Sequence, residues 1–181
     1  MFRIKKYYFL ILFCLTFLAS CANFFTQSVH LPLSLADFTE NTVNVSIVLE
    51  KSISGQFYIS ATFAPPDGFH LYSKDIPLSG IDGLGRPTYL SLSDTSQLKS
   101  TGELIESVKP QIPQFEPQEL LIYPFGAVTL RLPVELPDGK EWIRESILVT
   151  FMACNEIGCK PPVVEKLVFI QLPSSGMFND E

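Results

Sequence analysis

The chain has 181 residues and a formal net charge of −6 at pH 7, with 19 acidic against 13 basic side chains. After the first six residues, no stretch of it clusters Lys or Arg, so it lacks the basic surface on which DNA- and RNA-binding proteins depend. Its length and its 46% content of hydrophobic residues suffice for one domain with a substantial core.

The N-terminus has the pattern of a secretory signal. A basic region comes first, an uncharged apolar run follows, and small residues then lead directly to a cysteine: Arg3, Lys5, Lys6, residues 7–17, Leu18-Ala19-Ser20 and Cys21. The apolar run is too short for a membrane-spanning helix and is clearly terminated. The small residues before the cysteine also fit a bacterial lipobox.

We therefore predict a lipoprotein signal peptide over residues 1–20, lipidation of Cys21, and a tether over residues 21–40. A lipid anchor holds a protein at a membrane without a spanning helix. The protein would then be a membrane-anchored lipoprotein of the periplasm or cell envelope. Disulfide bonds persist in such an extracytoplasmic, oxidising space.

From residue 43 onward, the sequence predicts short β-strands separated by turns. These runs alternate apolar and polar residues or are rich in β-branched and aromatic ones, and they cover Val43–Leu49, Phe57–Phe63, Phe69–Tyr72, Ala127–Val134, Ile147–Phe151 and Val163–Ile170. The 14 prolines argue against long helices. We predict a single all-β domain over residues 41–173, an immunoglobulin-like β-sandwich, with long loops between residues 74 and 118. Residues 174–181 are predicted to be a flexible tail.

Two cysteines, Cys154 and Cys159, lie between the last two predicted strands, with an Asn/Gly turn between them. A strand–turn–strand hairpin would bring their Cα atoms within the roughly 4.4–6.8 Å that a disulfide requires. A ring this small stabilises a fold by only about 2 kcal/mol. The spacing alone leaves two interpretations open, a structural staple and a redox centre.

Several segments, in this order, resemble one known family. They are the run Gly68-Phe69-His70-Leu71-Tyr72-Ser73-Lys74, the loop end Gly85-Arg86-Pro87-Thr88, the turn Tyr123-Pro124-Phe125-Gly126, and the cysteine pair followed by Lys-Pro-Pro. Together they resemble the N-terminal extracytoplasmic domain of the DsbD thiol:disulfide interchange protein family, also called the disulfide-bond corrector domain. The resemblance covers residues 43–172. The chain has neither the membrane-spanning nor the thioredoxin-like domain of full DsbD proteins.

The resemblance implies an immunoglobulin-like scaffold for a redox-active pair, Cys154 and Cys159, which would be the catalytic residues of a protein-disulfide reductase type of oxidoreductase. One cysteine attacks a partner disulfide and the other resolves the mixed disulfide; which one attacks is left open. The resemblance also implies an aromatic cap over the pair, formed by Phe125 with Tyr123.

The implied function is membrane-anchored, extracytoplasmic thiol:disulfide interchange. A thioredoxin-like protein or a membrane electron carrier would donate electrons, and oxidised extracytoplasmic proteins would accept them. We expect a monomer that binds no nucleic acid and needs no cofactor. The alternative is a non-catalytic envelope lipoprotein with a structural disulfide that binds a protein partner.

Other candidate sites are weaker. A single histidine on a strand, such as His70, is more often structural than a ligand or base. A metal site from Met152, Cys154, Cys159 and His70 is conceivable, because soft sulfur ligands suit Cu(I). Two cysteines at this spacing are not a zinc motif, however, and we expect no metal site. The sequence lacks a nucleophile elbow and a phosphate-binding loop.

Overall fold

Alternation of apolar and polar side chains sets the strands of this chain, as the sequence predicts. The computed structural model describes residues 29–178. In the second strand of that range, Val43, Val45, Ile47 and Leu49 are at most 1% exposed, and the side chains between them are half-buried or exposed. Each strand of this kind therefore separates the core from solvent.

The elements and their bounds are β1 (Leu33–Glu40), β2 (Val43–Lys51), β3 (Phe57–Ala64), β4 (His70–Leu71), β5 (Tyr89–Leu92), β6 (Lys99–Ser100), β7 (Ile105–Glu106), β8 (Val128–Glu135), β9 (Trp142–Phe151), β10 (Ala153–Cys154), β11 (Val163–Pro173) and a 3₁₀ helix (Ser175–Phe178). Short strands β5 to β7 lie in the predicted loop region. Among residues 29–178, no helix has the length and apolar character needed to cross a membrane.

Two antiparallel sheets enclose the core of the described chain. The larger has the strand order β1-β2-β3-β8-β6, with β7 also paired to β8, and the smaller has the order β11-β9-β5. Their inner faces meet where Phe63 of β3 packs against Phe151 of β9, with ring centroids 5.6 Å apart. The prediction of an all-β sandwich is confirmed.

Strands β4 and β10 form a separate two-stranded antiparallel ribbon at one end of the sandwich. Leu71 lies opposite Ala153, and His70 lies opposite Cys154. Because neighbouring residues of a strand face opposite sides, Leu71 and Ala153 join the main core, whereas Cys154 lies with Tyr72 in a second, smaller apolar cluster. The ribbon thus places one of the two cysteines beneath the surface.

The predicted tether is wrong over its last eight residues. Leu33–Glu40 is β1, which pairs with β2 along its length. The sequence did not predict this strand, because a β-bulge between Ser34 and Ala36 interrupts the alternation of apolar and polar residues. The turn that follows is also atypical: Asn41 and Thr42 both adopt positive φ, 48° and 69°, without a glycine. The predicted signal peptide and Cys21 lie outside the described residues.

The predicted flexible tail is also wrong for residues 174–178. Ser174 is fully buried, and its hydroxyl accepts a hydrogen bond from the Glu141 N–H and donates one to the Glu141 carbonyl. Phe178 packs on Phe57 with ring centroids 4.8 Å apart. These contacts join residues that are distant in sequence, so no local sequence pattern predicts them. Residues 179–181 lie outside the described range.

Truncating the core tests the packing of the larger sheet. Ile47 is fully buried between β1 and β3, so Ile47→Ala should lower the free energy of unfolding by about 2–5 kcal/mol. Urea denaturation measures this change. The same substitution at Ile53, which is fully exposed, should change it by less than about 0.5 kcal/mol. Equal effects at both positions would contradict the described core.

Candidate functional site

Cys154 and Cys159 are joined by a disulfide bond at the tip of a tight hairpin. The Asn155 N–H donates to the Gly158 carbonyl (3.0 Å) and the Lys160 N–H donates to the Ala153 carbonyl (2.9 Å). The Asn155 side chain closes the turn, because its Oδ1 accepts the N–H groups of residues 157 and 158, each at 3.0 Å. The predicted strand–turn–strand geometry and the pairing of the two cysteines are confirmed.

The hairpin is an excursion from the smaller sheet, and it is fixed on two sides. β9 and β11 pair with each other directly below it, from Phe151 opposite Val163 onward. On one flank, the Asn41 amide donates to the Pro161 carbonyl at 2.8 Å. On the other, the Lys160 ammonium lies 5.3 Å from the centre of the Phe69 ring, a cation–π contact. The position of the disulfide therefore depends on residues far away in sequence.

The two sulfur-bearing residues differ in exposure. Cys154 is 2% exposed, packed in the small cluster with Tyr72, Ile76 and Leu120. Cys159 is exposed to solvent, and its Sγ lies 3.9 Å from the Tyr72 hydroxyl. Thiol–disulfide exchange requires direct attack on a sulfur atom, so an external thiolate can reach Cys159 and not Cys154.

His70 lies directly beside this pair, opposite Cys154 across the β4–β10 ribbon. Its ring is 8% exposed, and Nε2 is buried with no hydrogen-bond partner. The ring meets the Tyr72 ring edge-on (centroids 5.4 Å apart) and stacks on Phe115 (6.0 Å). Burial lowers the pKa of His70 below its usual value of 6.5, because desolvation disfavours the imidazolium.

An open groove of about 650 Å³ borders the hairpin. Its lining includes Asn155, Glu156 and Ile157 of the hairpin, together with His70 and the loop 111–115. Several of its apolar side chains face solvent: Ile112, Phe115, Phe125 and Ile157 are between 40% and 96% exposed. The lining is mainly apolar, which suits contact with another protein's side chains.

The two residues expected to cap the disulfide have different environments. Phe125 is 73% exposed and lines the groove together with Ile157 of the hairpin; Gly126 after it, at φ 112°, permits the turn that leaves the ring outside. Tyr123 is fully buried. Its hydroxyl donates to Glu106 (2.7 Å) and accepts the Lys74 N–H (3.1 Å), and burial raises the pKa of Tyr123.

Tyr123 is therefore a core residue that supports this turn from beneath, and its predicted part in a cap is wrong. Phe125 remains the cap candidate. Sequence reasoning did not place Tyr72 or Phe115 at the site. Because His70 and Tyr72 are two residues apart in a segment predicted to be extended, the sequence indicates that they share a face, but not that this face meets Cys154.

Comparison with known proteins gives little further information. No protein-family model and no curated protein sequence matches this chain. Among solved structures, it is similar to the N-terminal domain of DsbD from Neisseria meningitidis in the reduced form, with a TM-score of 0.40 and 13% sequence identity. The match covers 79% of this chain and 86% of that one. A likeness at this level does not place the chain in the DsbD family.

The lowered pKa of His70 predicts a pH dependence of stability. The unfolded chain binds a proton at His70 near pH 6.5, while the folded chain binds it only at lower pH. Stability linked to His70 is therefore complete above about pH 6.5 and is lost as the pH falls through the folded-state pKa. Urea denaturation between neutral and mildly acidic pH should show a smaller loss in His70→Gln than in the wild type. A wild-type dependence in His70→Gln would contradict the prediction.

Proposed function

We propose that this protein is a membrane-anchored, extracytoplasmic thiol:disulfide interchange protein that reduces disulfides of partner proteins through Cys154 and Cys159. One observation carries the proposal: the disulfide joins an exposed cysteine at a hairpin tip to a buried one beneath it. An exchange reaction needs one sulfur that a partner can reach and a second sulfur beside it that resolves the mixed disulfide.

The unequal exposure supports different roles for the two cysteines in this proposal. In the reduced protein, the Cys159 thiolate attacks a partner disulfide; a bond forms between Cys159 Sγ and one partner sulfur, and the other partner sulfur leaves as a thiolate. Cys154 then attacks Cys159 Sγ, the mixed disulfide breaks, and the partner is released with both sulfurs reduced. Two electrons have passed to the partner. A thioredoxin-like protein or membrane carrier returns them by the reverse sequence.

A purely structural role accounts less well for this arrangement. The hairpin already has two backbone hydrogen bonds, the Asn155 turn and the contacts to Asn41 and Phe69. A disulfide that closes so short a loop adds only about 2 kcal/mol to the stability. A staple also gains nothing from exposing Cys159 beside an apolar groove, whereas a partner-binding redox site does.

The strand geometry fits a tether at the N-terminus. β1 ends at Glu40, next to Asn41, whose amide contacts the residue 161 carbonyl beside the cysteine hairpin. The first residue of β1, Leu33, is seven residues before Glu40, which corresponds to about 23 Å along the strand at 3.3 Å per residue. A chain anchored through Cys21 would enter the domain at that far end. The disulfide would then point away from the membrane, toward partner proteins in the extracytoplasmic space.

Phe125 has the position of a cap in this proposal. It lines the groove with Ile157 and is largely exposed, so a small movement could cover or uncover the hairpin. Phe125→Ala should then speed reduction of the disulfide by dithiothreitol several-fold. Phe169→Ala, which removes an equally exposed ring (77%) from β11, should leave the rate unchanged. An unchanged rate in Phe125→Ala would remove the cap from the proposal without affecting the exchange reaction.

Trapping in cells tests the function itself. Cys154→Ala leaves the exposed Cys159 without its resolving partner, so mixed disulfides with other proteins should accumulate and be visible on non-reducing gels. Cys159→Ala leaves only the buried Cys154 and should capture far less. The double variant is the control for background.

If neither single variant captures more than the double variant, the exchange mechanism is wrong. The non-catalytic lipoprotein with a structural disulfide would then be the better account. It predicts that the double variant loses some stability and keeps its cellular role.

A further inference from the structure

Resolution of the mixed disulfide requires Cys154 to lose its thiol proton. Once reduced, this residue lies in an apolar cluster with Tyr72, Ile76 and Leu120, and only 2% of its surface is accessible. An apolar environment disfavours a thiolate, and little water can reach the sulfur to remove the proton. The exposed Cys159 has no such difficulty. The buried cysteine therefore needs a proton acceptor within the protein.

In the β4–β10 ribbon, the imidazole of His70 lies next to Cys154. Residues directly opposite in an antiparallel pair project to the same side, with Cβ atoms about 4.5–5.5 Å apart, and His70 is directly opposite Cys154. Its Nε2 is buried and has no partner in the described chain. An unpartnered buried nitrogen carries a desolvation cost, and a reduced Cys154 gives it a hydrogen-bonding neighbour.

We propose that His70 is the general base that removes the thiol proton from Cys154 as it resolves the mixed disulfide. This inference rests on the proposed function. The proton passes from Cys154 Sγ to the imidazole while Sγ bonds to the Cys159 sulfur. The bond from Cys159 to the partner breaks, the partner sulfur leaves as a thiolate, and the imidazolium returns its proton to that thiolate or to water through the groove.

The other polar groups around His70 do not fill this role. Tyr72, which directly follows β4, meets the imidazole with its ring edge, and its hydroxyl lies against Cys159. Phe115, from the loop 111–115, stacks on the ring and carries no charge. Glu156 is the charged residue of the groove lining, and it is exposed. Lys160 of the hairpin is directed onto Phe69.

Desolvation supports a base at neutral pH. It lowers the pKa of His70, so the imidazole is unprotonated and able to accept a proton. It also keeps competing water from Nε2. A merely structural histidine would be expected to use its ring nitrogens in hydrogen bonds.

Single-turnover reaction with dithionitrobenzoate separates the two sulfur attacks. The sequence has four cysteines, so the full chain is used with Cys14→Ser and Cys21→Ser, which leaves Cys154 and Cys159 as the thiols that can react. After reduction, this protein releases one coloured thiolate when Cys159 attacks the reagent and a second when Cys154 resolves the adduct. The released aromatic thiolate needs no proton, so the second stage reports deprotonation of Cys154. His70→Gln should slow the second stage at least about tenfold, within the range of general-base effects, and leave the first unchanged. His30→Gln is the matched control and should change neither stage.

The pH profile distinguishes a base from a structural residue. In the wild type, the second-stage rate should be level near neutral pH and fall as the imidazole becomes protonated, below about pH 6.5. In His70→Gln, it should rise with pH throughout, following the thiolate population. In His70→Ala, added imidazole can enter from the adjacent groove and should restore much of the second stage.

The outcomes separate this inference from the proposed function. If the wild type completes both stages and His70→Gln does so at the same rate, His70 is not the base and the exchange function stands. If the wild type releases no second thiolate, the exchange function itself fails. Should the variants not fold, the wild-type profile decides: a second-stage rate that rises with pH throughout overturns the inference.

Discussion

The pairing of β4 with β10 positions the candidate site more than any other contact. Two cross-strand pairs, Leu71 with Ala153 and His70 with Cys154, form the whole ribbon. One face of it is anchored in the main core, which leaves the other face with a fixed orientation. The buried cysteine, the imidazole and the groove all lie on that second face. Loss of the ribbon would free the cysteine hairpin from the sandwich, although the hairpin's own hydrogen bonds would remain.

The site combines a rigid, apolar interior with one reactive atom at the surface. Cys159 is open to solvent, whereas Cys154 lies among side chains that exclude water. In such an environment, charges are costly and proton transfers need a defined partner. In the proposed mechanism, the same burial that protects Cys154 creates the requirement for a base, and His70 is the residue opposite it in the strand register. The burial of Cys154 and its position opposite a base would then both follow from the packing of the β4–β10 ribbon.

Much of the fold could be predicted from the sequence, because strand alternation is a local property. The pattern in β2, β3 and β8, and the two runs that flank the cysteines, correspond to strands in the structure. The prediction failed where local signals were interrupted. The bulge in β1 breaks the alternation, and the order at Ser174 and Phe178 depends on contacts with Glu141 and Phe57. Those partners are distant in sequence and leave no local pattern.

For the site, the local sequence was enough to predict that Cys154 and Cys159 can pair, because the four residues between them form an Asn/Gly turn that closes a hairpin. The exposure of Cys159 and the position of His70 next to the buried Cys154 became visible only in the folded structure. It also separated Phe125, at the groove, from Tyr123, in the core. Burial and cross-strand register are set by packing between segments about 80 residues apart, such as β4 and β10. A linear sequence specifies those contacts only through the complete fold.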